Sequence, residues 1–251
     1  MLLYTTLADW YPLLTPLADY DEEAQVFGAL FAEALGEPPP GARWSLLELG
    51  CGAGHVAHGL AAHFELTLTD LSSEMLALAA RTCPGAARAQ GDMRSLRLGR
   101  RFDAVFLHDA VCYLRGPDDL AAALATAAAH LRPGGVLVLA PDYVRETFEP
   151  ESEEGGVDDG ERALRYVAFV NPAEGEGYSV DYVYVTKAGA APPQVYQERH
   201  HEGLYSRAEW AAALAAAGFT RTGPSAWRHS EVDRELDVFV ARFTGGATTE
   251  A

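Results

Sequence analysis

The stretch LLELGCGAGH (Leu46 to His55) joins an apolar run to a helical repeat through three glycines at every second position. Glycines this close together are entropically unfavourable, because glycine loses the most backbone freedom on folding. A chain keeps them where the backbone must take positive φ or let another group come close. Leu46, Leu47 and Leu49 before them read as a buried strand. Val56, Ala57, Leu60 and Ala61 after them fall at helical spacing. The glycines therefore lie on a strand-to-helix turn, where backbone N–H groups and the helix dipole face outward. In an open α/β sheet that is a place for a ligand.

The rest of the chain agrees with such a sheet. A helix is predicted over 21–35, with Phe27, Leu30, Phe31 and Ala34 on one face. GEPPPGAR then breaks the chain. Strands at 65–70, 87–90, 102–109 and 136–141 alternate with helices at 73–82 and 119–131. That alternation predicts a Rossmann-like, doubly wound, mostly parallel sheet. Beyond it the pattern changes. ESEEGGVDDGE (151–161) reads as an acidic, solvated loop. Three strand-like runs follow without a helix: LRYVAFV, YSVDYVYVT and PQVYQERHHEG. In the second, Tyr178, Val180, Tyr182 and Tyr184 share one side, which predicts an antiparallel insert packed through that side on the core. SRAE (206–209) matches a capping box, opening a helix that ends at Gly218. FTRTG and ELDVFVARF read as a closing antiparallel pair of strands, and the tail TGGATTEA as disordered. The expected organisation is a single domain. A cap segment and helix occupy 1–36, the ligand-binding core 40–145, the substrate-side insert 160–203, and a helix with strands 204–243.

Composition narrows the partners. A chain of 251 residues, 49% hydrophobic, holds one sizeable α/β domain. The formal net charge of −17 argues against nucleic acid, which needs clustered Lys and Arg. RLGRR (97–101) is too short for a groove. No run is long enough to span a membrane, and MLLYTTLADWYPLL lacks the basic start of a signal peptide. Cys51, Cys83 and Cys112 show neither metal nor disulfide spacing, which points to a reducing cytoplasm. A small neutral or cationic substrate fits best, on a monomer or homodimer.

The spacing selects the ligand. Gly50, Gly52 and Gly54 give G-x-G-x-G, with His55 where a dinucleotide fingerprint needs glycine, and no Gly-Lys-Ser/Thr is present. Asp70, about 20 residues on, ends the next strand where a carboxylate accepts both ribose hydroxyls. In GDM (91–93), Asp92 is placed to accept the adenine amino hydrogens and Met93 to pack on the ring. An adenosine held between Asp70 and Asp92 beside a glycine turn describes S-adenosylmethionine.

In that order, LLELGCGAG, the Asp70 strand end, GDMRSL, FDAVFLHDAVCYL and LRPGGVLVL resemble the class I S-adenosylmethionine-dependent methyltransferases. LADWYPLLTPLADYDEEA, YVRETFEP and YSRAEWAAALAAAGF look more narrowly like the amino-sugar N,N-dimethyltransferases and related small-molecule enzymes. The resemblance implies methyl transfer to a small-molecule acceptor, an amine before an oxygen. It also implies roles. Glu48, Gly50, Cys51, Gly52 and Gly54 would wrap the methionine and ribose, Asp70 and Leu71 the ribose and adenine edge, and Asp92 and Met93 the adenine. His108 would lie near the transferred methyl. Tyr20 and Tyr11 would fold over the cofactor, Tyr11 reaching the substrate. The Asp-Pro-Pro-Tyr type of motif is replaced by HDAVCYL. Tyr182 would offer a ring face to a cationic substrate.

An attacking amine must be unprotonated, so the site must take up its proton. His108 is the expected acceptor, since histidine titrates near neutrality, with Asp109 second. No metal is expected. His200 and His201, on opposite faces of a strand, do not make a shared site. The rival readings are an O-methyltransferase, a cofactor-sensing module without chemistry, and a nicotinamide oxidoreductase, which the glycine spacing disfavours.

Overall fold

The computed structural model describes residues 1–223, 226–230 and 235–245. The strands are β1 (Trp44–Leu49), β2 (Phe64–Asp70), β3 (Ala87–Gln90), β4 (Phe102–Leu107), β5 (Leu131–Leu139), β6 (Ser152–Asp158), β7 (Arg162–Val170), β8 (Gly177–Ala188), β9 (Gln194–Gly203), β10 (Phe219–Arg221), β11 (Ala226–Arg228), β12 (Glu235–Asp237) and β13 (Phe239–Phe243). The helices are α1 (Tyr11–Leu14), α2 (Asp21–Leu35), α3 (His55–Leu60), α4 (Ser73–Thr82), α5 (Pro117–His130) and α6 (Arg207–Ala216).

The main sheet has seven strands in the order β10-β13-β5-β4-β1-β2-β3. β1 to β5 pair in parallel, while β13 runs antiparallel to β5 and to β10. This is the doubly wound sheet with a closing antiparallel strand that the alternation predicts. The strand order reverses between β1 and β4, so the loops after those two strands diverge and leave a crevice between them.

Each face of the sheet buries an apolar layer. On one side Phe27 and Phe31 of α2 are fully buried against Phe106 and Phe64. Asp21, Glu22 and Glu23 in the first turn of α2 complement its dipole. On the other side Trp210 of α6 stacks on Phe239. Ser206 and Glu209 form the reciprocal capping box at the start of α6. Ser72, not Asp70 or Ser73, caps α4 by accepting from Met75 N–H, which leaves Asp70 free of that work.

The insert is a four-stranded antiparallel sheet, β6-β7-β8-β9. It starts earlier than expected. The acidic run is not a loop, because Ser152 to Asp158 pair residue for residue with Phe169 to Ala163. Glycines and carboxylates are poor strand formers, but an edge strand needs only one ladder, and its charges guard the open side. The tyrosine face also departs from expectation. Tyr184 packs on Leu3 and Leu7, and Tyr178 on Tyr143 and Phe148, instead of directly on the parallel core. The N-terminal segment lies between. Its Leu3 N–H donates to Glu198 of β9 at 2.9 Å, and its Tyr4 carbonyl accepts from Ser72 Oγ at 2.5 Å.

The predicted last strand is broken at Val238 into β12 and β13, and β12 pairs antiparallel with β11. Of the tail expected to be disordered, residues 246–251 lie outside the described residues. Phe27→Ala should lower unfolding free energy by about 3–5 kcal/mol, and Ser206→Ala by about 0.5–2 kcal/mol. Urea denaturation measures both, and a smaller loss for Phe27→Ala than for Ser206→Ala would contradict this placement of the core.

Candidate active site

The three glycines all take positive φ: 78° at Gly50, 52° at Gly52 and 77° at Gly54. Gly50 and Cys51 both donate their backbone N–H to the Thr69 carbonyl, at 2.8 and 2.9 Å. The turn thus folds over the end of β2. A Cβ on Gly50 would lie 2.3 Å from that of Ala110, in the turn after β4. At Gly52 nothing is nearer than the Tyr11 hydroxyl at 3.9 Å. One glycine permits close packing of two loops, and the other leaves an open cradle. The Cys51 side chain is buried in the turn and joins the apolar layer beneath α2 and α3.

These loops wall a cleft of about 710 Å³, and every residue expected to touch cofactor or substrate lines it except Gly54. Gly54 instead starts α3 from below the cradle, against Ala79, Cys83 and Leu68. Asp70 accepts from Gly52 N–H at 2.9 Å and from Ser72 N–H at 2.8 Å, so its carboxylate is held at the strand end. Asp92 is gripped by Arg94, at 2.6 Å between Oδ2 and Nη2, and Arg94 also reaches Asp119. That grip orients the carboxylate and keeps it ionised. Leu71, also lining the cleft, is 65% exposed, and Met93 is half-buried against the core.

Tyr11 and Tyr20 fold over this end, both against His55, with ring centroids 5.7 and 4.9 Å away. Burial pushes the Tyr11 hydroxyl up to about 12. His55 read as the residue that spoils a dinucleotide motif; its role as the platform for two tyrosines is tertiary.

The floor of the cleft is acidic. Glu48 is 3% exposed, and its Oε2 has no hydrogen-bond partner among the described residues. Burial raises its carboxyl to about 8, outweighing the pull of His108. His108 stacks on Phe106 and lies 3.0 Å from Asp109 Oδ1 and 3.5 Å from Glu23 Oε2. Burial alone would lower its pKa, yet Asp109, Glu23 and Asp142 hold it at about 10. Asp109 projects into the cleft, where water reaches it although protein surrounds it, and hydrogen-bonds Asp142. Burial and the Asp109 charge push Asp142 up, so this pair shares a proton. The expectation that His108 titrates near neutrality is thereby corrected. Its position is as expected, but its carboxylate neighbours keep it an imidazolium.

Toward the insert, the cleft is walled by Tyr4, Tyr113, Tyr182 and His200. Tyr182 lies 4.8 Å from His200 and stacks on Tyr184. His200 is buried and His201 exposed, on opposite faces as expected. Cys112, Asp142 and Glu202 bring a thiol and two carboxylates within 4.8 Å of one another. Burial raises all three groups and so disfavours their charged forms in the empty cleft.

An orphaned buried carboxylate oxygen, an open glycine cradle and a fixed strand-end aspartate fit S-adenosylmethionine, with its sulfonium and ammonium charges and its ribose diol. Asp70→Ala should weaken its binding at least about tenfold by removing charge-assisted bonds, as calorimetry would measure. Glu48 makes binding pH-dependent. A cation beside it favours the carboxylate, so binding expels a proton from a group held neutral below about 8. Affinity should rise with pH up to that value and then level. Calorimetry in buffers of different ionisation enthalpy should show proton release, absent in Glu48→Gln.

Comparison with known proteins agrees with this geometry. Residues 46–135 match the methyltransferase domain family. The chain is 34% identical over 214 residues to a dTDP-3-amino-3,6-dideoxy-alpha-D-glucopyranose N,N-dimethyltransferase of Streptomyces fradiae, covering 82% of each. It is 36% identical over 191 residues to a dTDP-3-amino-3,4,6-trideoxy-alpha-D-glucopyranose N,N-dimethyltransferase of Streptomyces venezuelae, covering 72% of this chain and 79% of that one. Among solved structures, DesVI of Streptomyces venezuelae superposes with a TM-score of 0.76 at 30% identity, over 89% of this chain and 91% of that one. The amino pentose methyltransferase CalS10 of Micromonospora echinaspora, solved with S-adenosylmethionine bound, superposes with a TM-score of 0.73 at 30% identity, over 90% and 92%. The glycine cradle, the strand-end carboxylate and the acidic floor therefore belong to a class I S-adenosylmethionine-dependent methyltransferase, in the group that holds the amino-sugar N-methyltransferases.

Proposed function

We propose that this enzyme methylates the amino nitrogen of a nucleotide-linked amino sugar. The observation that carries the reading is the two-ended cleft. The cofactor end carries Glu48, Asp70 and Asp92, and the other end is walled by tyrosines, His200 and the carboxylates of Asp109, Asp142 and Glu202. Hydroxyls and ring faces suit a sugar, and carboxylates suit its ammonium. At the mouth, Arg115, Arg199 and His201 line both this cleft and an adjoining groove of about 550 Å³. Arg199 is paired with Asp181, while Arg115 is exposed, and a diphosphate is a complement for such a rim. The relatives' named dTDP-amino sugars carry both features.

S-adenosylmethionine supplies a methyl group on a sulfonium, whose sulfur leaves without acid assistance. The chain's residues must align the nitrogen, exclude water and remove its proton. Tyr11 and Tyr20 cover the cofactor end, and the insert with the N-terminal segment closes the acceptor end. His108 holds the floor as a cation between Asp109 and Glu23, orienting those carboxylates. No metal is needed. Three unpaired, buried cysteines suit a reducing cytoplasm.

Incubation with dTDP-linked 3-amino and 4-amino sugars should give products carrying one or two added methyl groups by mass spectrometry, unaffected by chelators. Arg115→Ala should raise KM about tenfold for the nucleotide-linked sugar and leave S-adenosylmethionine binding alone. Loss of activity on chelation, restored by magnesium, would instead support a metal-dependent O-methyltransferase.

A further inference from the structure

A chain of polar side chains runs along the insert wall of the cleft. Tyr4 Oη lies 2.8 Å from Tyr113 Oη, which lies 3.0 Å from His200 Nδ1. His200 Nε2 is 3.2 Å from Glu198 Oε1. Glu198 accepts the N–H groups of Leu2 and Leu3, at 2.5 and 2.9 Å. The members come from the N-terminal segment, the turn after β4, and β9. His200 is 2% exposed, and the Glu198 side chain 7%.

The chain has a direction. A carboxylate only accepts, so the ring nitrogen that faces Glu198, Nε2, is the one that carries a hydrogen. Nδ1 is then an acceptor, and the Tyr113 hydroxyl donates to it. Tyr113 lines the cleft, and its oxygen, with one lone pair toward Tyr4, keeps a second for a donor there. Nε2 lies 3.2 Å from Glu198 Oε1, so the contact becomes an ion pair when the ring becomes charged. Burying an imidazole and a carboxylate beside a substrate cleft is unfavourable unless the pair has such a use. His108 does not fill this role, because Asp109 and Glu23 already hold it protonated.

We infer that Tyr113, His200 and Glu198 form a proton relay that removes the ammonium proton of the acceptor before each methyl transfer. The inference rests on the amine reading of the acceptor. Tyr113 passes its hydroxyl proton to His200 Nδ1 and takes one N–H proton from the ammonium. One O–H and one N–H bond break, and one of each forms. The positive charge moves from the acceptor nitrogen to the imidazole, against Glu198, and the nitrogen lone pair is freed. The imidazolium returns its proton to water when the cleft empties. Tyr113 touches the substrate, His200 acts through it, and Glu198 positions His200. The titratable groups facing His200 are Tyr4 from the N-terminal segment, Tyr113 from the turn after β4, Tyr182 from β8, and Glu198 and Glu202 from β9.

The test uses purified enzyme, S-adenosylmethionine and the dTDP-amino sugar panel. His200→Gln keeps a hydrogen-bonding side chain but cannot carry the proton. Its kcat should fall about 10²- to 10⁴-fold at neutral pH and recover as pH rises, because the amine then sheds its proton unaided. S-adenosylmethionine binding should stay within about twofold. Tyr113→Phe, which deletes only the hydroxyl, should behave the same way. Nitrogen NMR of the wild type should show His200 protonated at Nε2. An Nδ1–H ring, a wild-type kcat in His200→Gln, or a loss that does not change with pH would each overturn the relay. A wild type that methylates no amine in the panel would overturn the acceptor reading itself.

Discussion

Two backbone N–H groups given to one carbonyl hold this site together. Gly50 and Cys51 both bond Thr69, which folds the turn after β1 over the end of β2. Gly52 then donates to Asp70, so the cradle and its carboxylate are one unit. The same turn meets Ala110, with no room for a Cβ at Gly50. That contact sets the spacing between the glycine cradle and the residues after β4, and hence between the cofactor end and His108. Few sequences tolerate it, since each of these glycines also has positive φ.

Charge is organised around this frame. The cleft gathers more carboxylates than guanidinium groups, and those of Arg94 and Arg199 are already paired with Asp92 and Asp181. Burial favours protonation of such carboxylates, and it raises both Glu48 and Asp142. A cationic cosubstrate and a cationic acceptor reverse that preference. The site is thus poised to exchange protons for cations. An imidazolium at His108 keeps neighbouring Asp109 ionised, despite burial that would raise it.

The N-terminal segment joins the two sheets. It bonds Glu198 on the insert and Ser72 on the core, and it buries Leu3 and Leu7 beneath Tyr184. Tyr4, Tyr11 and Tyr20 from this one stretch line successive parts of the cleft. In the proposed reading, cover for the cofactor and the wall for the acceptor are parts of one strap.

Local pattern alone determined much of this protein. Strand and helix periodicity, the glycine spacing and the carboxylates Asp70 and Asp92 at strand ends were legible, because each depends on neighbours a few residues away. So was the capping box at Ser206. The acidic strand β6 was not legible, because its ladder comes from β7 and its own residues argue against a strand. Glu23, Tyr4, Tyr113, Asp142, His200 and Glu202 were not assigned to the site either. Apart from His200 and Glu202 on β9 they lie on separate elements, and no spacing in the chain announces that they meet around the cleft and His108. The protonation of His108 was decided in the same way. A histidine at a strand end reads as a neutral-pH base, but Glu23 from α2 and Asp142 beyond β5 approach it only in the folded molecule. Short-range sterics and periodicity are written along the chain, whereas burial and the fields of distant charges exist only once the sheets have closed around the cleft.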